Sequence, residues 1–104
     1  MTSLNIDSSI DTDVGTRLMK KGIRLIIKIP YSTPYLYVRY RSGPQIYIAK
    51  LNEIDVIAKR FDLSRQETFD LLLELVKRRL EKTQVSAVRE TLESILFDPS
   101  SYFS

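Results

Sequence analysis

The sequence predicts an α+β domain, an antiparallel three-stranded sheet followed by three helices, and three observations predict it. Apolar residues recur at every second position in three short segments between about residues 23 and 51. From about residue 52 to residue 97 they recur at helical spacing instead. Turn-forming punctuation falls in the first half at Pro30, Pro34 and Gly43-Pro44, whereas Pro99 is the only such mark after residue 51.

Residues 1–16 are polar and acidic without periodicity, so an N-terminal tail is expected there. In the first extended segment, about 23–29, Ile23, Leu25, Ile27 and Ile29 alternate with Arg24, Ile26 and Lys28. In the second, about 35–41, Leu36, Val38 and Tyr40 alternate with Tyr35, Tyr37, Arg39 and Arg41. The third, about 45–51, sets Ile46 and Ile48 against Gln45, Tyr47 and Ala49. Arg41-Ser42-Gly43-Pro44 joins the last two as a hairpin turn, with Gly43 available for a positive φ.

Asn52 can cap a first helix, about 52–61, with Glu53 and Asp55 at the positive end of its dipole. Asp62-Leu63-Ser64 interrupts the pattern, and Ser64-Arg65-Gln66-Glu67 has the Ser-x-x-Glu form of a capping box, which opens a helix over about 64–82. Its apolar stripe of Phe69, Leu72, Leu73, Val76 and Leu80 is widened by Leu71 and Leu75, so it needs partners on two sides. A third helix, about 86–97, supplies one and stops before Asp98-Pro99, leaving residues 99–104 as a tail. The stretch 17–98 is thus a single domain, in keeping with a chain of 104 residues.

The net charge of +3 is unevenly spread. Residues 17–60 carry ten basic side chains against Glu53 and Asp55, a surplus that attracts polyanions. Histidine, cysteine and tryptophan are absent while Ile, Leu, Lys and Arg are plentiful, which leans towards a thermophile or is sampling noise in a short chain. Without cysteine no disulfide framework forms, and no apolar run is long enough to span a bilayer. The expected compartment is the cytoplasm, that of a host if the source is viral. The same absences remove an imidazole base, a thiolate and the usual zinc ligands. No glycine-rich phosphate loop is present either, so no enzyme, cofactor or small-molecule substrate is expected. The remaining catalytic option is a Mg²⁺ site of Glu67, Asp70 and Glu74, for which a solvated helix face is the competing reading.

From Ile57 through Arg65 the chain resembles the helix-turn-helix of many DNA-binding regulators, and the likeness extends over residues 52–82. The family's small residue within the first helix is matched by Ala58, its apolar residues about the turn by Phe61 and Leu63, and the start of its recognition helix by Ser64-Arg65. The resemblance implies that Arg65, Gln66 and then Thr68 meet base edges or phosphates, with Lys59 and Arg60 close by. Asp62 stands where the family has glycine, and the strands precede the helix pair instead of following it. A strand followed by two helices is also similar to the ribbon-helix-helix dimers, with Ile46 to Lys50 as the strand.

The second face of the ribbon carries a chemical pattern of its own. If Leu36, Val38, Ile46 and Ile48 face the core, then Tyr35, Tyr37, Arg39, Arg41 and Tyr47 share the other face, with Arg24 and Lys28 beside them. Aromatic rings offer stacking surfaces for bases and the cations offer partners for phosphates. An interface with a second copy and plain sheet chemistry fit the same residues. Together these readings lead to a small basic DNA-binding protein, a homodimeric transcriptional regulator, with duplex DNA favoured and single strands as the second ligand. The alternative is a non-enzymatic interaction or accessory protein, for example of an archaeal virus or plasmid.

Overall fold

The computed structural model describes residues 14–104, and its architecture is a three-stranded antiparallel sheet with helices packed on one face. A short helix, α1, occupies residues 14–20. Strands β1 (Ile23–Lys28), β2 (Tyr35–Tyr40) and β3 (Gln45–Lys50) follow, paired in that order. Helices α2 (Ile54–Phe61), α3 (Arg65–Lys82), α4 (Ser86–Phe97) and α5 (Pro99–Tyr102) complete the chain. The three strands and three main helices lie within two residues of their expected bounds, because alternation and helical spacing each persist to the ends of their elements.

The two ends of the chain depart from expectation. Residues 1–13 of the expected tail lie outside the described residues, but residues 14–16 are helical. Val14 and Leu18 of α1 are buried against Leu71 of α3. They are one helical turn apart, a spacing too brief to register as periodicity in a polar stretch. Residues 99–104 are not a tail. Pro99 ends α4 and then serves as the first residue of α5, where its fixed φ suits a helix start and its missing N–H costs nothing. That turn drives Phe103 into the core, 1% exposed.

The sheet departs from simple alternation at one point. Leu36 pairs with Ala49 and Tyr37 with Tyr47, so Ile48 is an extra residue in β3, a bulge. Downstream of it the faces shift by one position. Ala49 is therefore buried in the core instead of sharing a face with Tyr47. Ile48 still packs against the core, while Ile46, expected inside, is 41% exposed. Tyr40 is also exposed at that end of the sheet, so the helical layer stops short of the hairpin tip.

The tip turns differently from expectation as well. Arg41, not Gly43, adopts the positive φ of 52°, and Gly22 faces it with a φ of 78°. The Arg41 amide donates to the Gly22 carbonyl at 2.7 Å. A Cβ on Gly22 would come within 2.9 Å of the Arg41 side chain, so the glycine admits this close crossing.

The wide stripe of α3 finds partners on both sides. Leu72 and Val76 join Ile27, Leu36, Leu51, Ile57, Leu92 and Ile95 in the main core, whereas Leu71 turns to α1. Arg89 of α4 donates to the carbonyls of Leu80 and Thr83, closing the C-terminal end of α3. At the other end Ser64 and Glu67 form the expected capping box. The Ser64 amide donates to the Glu67 carboxylate, which holds that carboxyl below its ordinary pKa, with the Ser64 hydroxyl and Arg17 adding to the effect. Its folded pKa is lowered, so this contribution to stability is present above the unfolded value and is lost as pH falls through the folded one. Asn52 does not cap α2. Glu53 takes that position, and its carboxylate instead accepts from the Lys50 amide at 2.8 Å.

Asp62 ends α2 in the left-handed region at φ 56°, and the Leu63 amide reaches back to the Ala58 carbonyl at 2.9 Å. Glycine meets this backbone demand without the steric cost of a Cβ. Asp62→Gly is accordingly expected to raise stability by about 0.5–1 kcal/mol, read as a higher urea midpoint at unchanged slope. An unchanged or lower midpoint would show that Asp62 contributes a compensating interaction.

Candidate nucleic-acid interface

Among the described residues the helices cover only the Leu36–Val38 face of the sheet, through α2 against β3 and α3 against β1. The pairing registers then define the uncovered face residue by residue. Arg24 lies opposite Arg39, which lies opposite Gln45. Ile26 lies opposite Tyr37, which lies opposite Tyr47. Lys28 lies opposite Tyr35, which lies opposite Lys50. The result is a central row of one isoleucine and two tyrosines with basic residues in the rows on both sides.

The tyrosines support one another. Tyr47 stands edge-to-face with Tyr37 at 5.6 Å and with Tyr35 at 6.0 Å between centroids. Tyr47 nevertheless stays 50% exposed, whereas Tyr35 and Tyr37 are half-buried. Partial desolvation first, and then the Glu53 carboxylate, raise the Tyr47 pKa above its ordinary value. The Lys28 ammonium sits 4.6 Å over the Tyr37 ring, a cation–π contact. Arg39 donates from Nε to the Gly43 carbonyl at 2.8 Å, which ties its stem to the hairpin turn.

Charge is segregated between the two layers. No residue of the three strands is acidic, and their four basic residues, Arg24, Lys28, Arg39 and Lys50, all fall on the open face. None of the four enters an ion pair among the described residues. Four of the six helical arginines do: Arg17 with Glu67, Arg65 with Asp55, Arg78 with Glu74 and Arg89 with Glu93, while Arg60 and Arg79 do not. Arg24 and Arg39 are directly opposed across the strands, an arrangement of like charges that disfavours the sheet unless an anion relieves it.

Of the residues singled out in the sequence, Arg24, Lys28, Tyr35, Tyr37, Arg39 and Tyr47 are brought together on this face. Arg41 is not among them, because its positive φ places it in the turn against Gly22. Lys59 and Arg60 are exposed on α2, in the helical layer, and Arg60 reaches the Tyr40 hydroxyl at 3.3 Å. At the start of α3, Arg65 is occupied by Asp55 and by the Phe103 carbonyl, and Gln66 donates to Asp70 at 3.0 Å. Thr68 is fully buried with its hydroxyl donating to the Ser64 carbonyl at 2.8 Å, which removes it from the reach of a base.

Lys50 is a member of the face that sequence reasoning left out, and Gln45, which alternation sets beside Tyr47, was not singled out. Lys50 was hidden by the bulge, since strict alternation from Tyr47 puts it on the buried side. The carboxylates considered for a metal are committed elsewhere, Glu67 to the capping box, Asp70 to Gln66 and Glu74 to Arg78. Among the described residues no helix is long and apolar enough to cross a membrane. No family model matches the chain, and neither a curated protein nor a solved structure matches it.

Proposed function

We propose that this protein binds nucleic acid through the open face of its sheet, with Arg24, Arg39, Lys28 and Lys50 neutralising phosphates around the tyrosine row. The observation that carries the reading is the segregation of charge. Every ion-paired arginine of the described residues belongs to the helical layer, while the four bases of the sheet face have no ion-pair partner among those residues. A polyanion is the complement of such a surface. The internal contacts of Arg65, Gln66 and Thr68 favour the sheet over the start of α3 as the contacting element. Helices α2 and α3 then chiefly support the sheet.

Fluorescence anisotropy with labelled single-stranded and duplex DNA at two salt concentrations tests the reading. Binding is expected to weaken steeply with salt, since each neutralised phosphate adds about 0.7–0.9 to the logarithmic slope. No binding to either form at low salt would remove the proposal.

A further inference from the structure

The layout of the open face selects among nucleic acids, and this step rests on the reading just given. We propose that the ligand is single-stranded, with a base stacked on Tyr47 and with phosphates held on either side by the Arg24–Arg39 row and the Lys28–Lys50 row.

Successive rows on one face of a sheet are two residues apart, so the two basic rows are separated by about 13 Å along the strands. Between them lie only Ile26, Tyr37 and Tyr47. A surface with charge at both ends and aromatic rings in the middle fits a ligand that presents bases between flanking phosphates. A duplex turns phosphates outward and buries its base faces in its own stack, so it meets the basic rows but leaves the tyrosines without partners. Major-groove entry suits a helix or a two-stranded ribbon. Here all three strands contribute to one continuous face.

The ring of Tyr47 is also prepared for stacking. Its edge-to-face contacts with Tyr35 and Tyr37 fix its position, so little side-chain freedom remains to be lost when a base arrives. The Lys28 ammonium over Tyr37, the ring next to Tyr47, supplies a cation close to the stacking site. Stacking reads no base identity, since every base has a π-face, so the preference is for the strand's form and not its sequence.

The test compares the intact protein with Tyr47→Ala and Tyr47→Phe on three probes: a short oligothymidine strand, the same backbone with abasic sites, and a duplex of equal length. Single strands are expected to bind more tightly than duplex. Tyr47→Ala should weaken oligothymidine binding about 10- to 100-fold with an unchanged salt slope, and Tyr47→Phe should bind like the parent. On the abasic strand the parent should fall to the level of Tyr47→Ala, and the substitution should have no further effect. Duplex binding equal to or tighter than single-stranded binding overturns the inference, as does full affinity in Tyr47→Ala. Either result leaves nucleic-acid binding itself standing. Absence of binding to all three probes at low salt overturns both proposals, and circular dichroism confirms that each variant is folded.

Discussion

Phe103→Ala is expected to cost about 3–5 kcal/mol, a large share of the total stability of about 5–15 kcal/mol typical of a domain. Phe103 is 1% exposed and belongs to the main core with Leu72, Val76, Leu92 and Ile95. Its ring stands edge-to-face with Phe69 at 5.4 Å and with Tyr102 at 5.1 Å. Removing the ring leaves a cavity bounded by α3, α4 and α5, and the carbonyl of the same residue also receives Arg65 at 3.2 Å. Alanine retains that carbonyl, so the loss is one of packing. Chemical denaturation checks the value. A cost below about 1 kcal/mol, typical of a surface substitution, would mean that the chain end does not complete the core.

The same packing half-buries Tyr102, and burial pushes its phenol up to about 12. A raised folded pKa means that the neutral form is favoured in the fold. Its stabilising contribution is complete below the unfolded value near 10 and is lost as pH climbs towards 12. Tyr102→Phe should remove this part of the alkaline decline in stability, whereas Tyr31→Phe, at an 89% exposed site, should not.

The largest expected effect shared by base-bearing and abasic strands comes from Arg24→Ala combined with Arg39→Ala. Two lost phosphate contacts lower the logarithmic salt slope by about 1.4 for a single strand, which at about 0.1 M salt corresponds to roughly 25-fold weaker binding. The loss should be alike for all sequences, because phosphate contacts position a ligand without reading it. Folding should change little. Relief of the like-charge pair favours the variant, while loss of the Arg39 bond to the Gly43 carbonyl opposes it. The matched control is Arg65→Ala, where the guanidinium is already occupied by Asp55 and Phe103. It is expected to lower stability without lowering the salt slope. If instead Arg65→Ala weakens binding and the sheet pair does not, the start of α3 is the contacting element.

Local signals made most of the fold legible. Ser64-Arg65-Gln66-Glu67 announces its helix because the cap is built from residues three apart, and the structure forms that box. The alternation in β1 and β2 gives the open face of those strands correctly, since pleat alone decides which side Arg24, Lys28, Tyr35, Tyr37 and Arg39 occupy. Arg41 continues the alternation on paper, but the chain has already turned there. A positive φ at an arginine is a concession to the crossing at Gly22, a contact between residues nineteen positions apart.

Sequence by itself determined the class of fold, the order of its elements and the concentration of positive charge in the sheet half, because periodicity, caps and composition are properties of neighbouring residues. Tertiary structure decided the rest. The bulge at Ile48 moves Lys50 onto the open face and Ala49 into the core, and nothing in β3 alone specifies it, since a bulge is defined only against a partner strand. Which cations remain without acidic partners was settled by packing. Arg65 and Lys28 are equally basic as letters, but the fold brings Asp55 to the first and the ring of Tyr37 to the second.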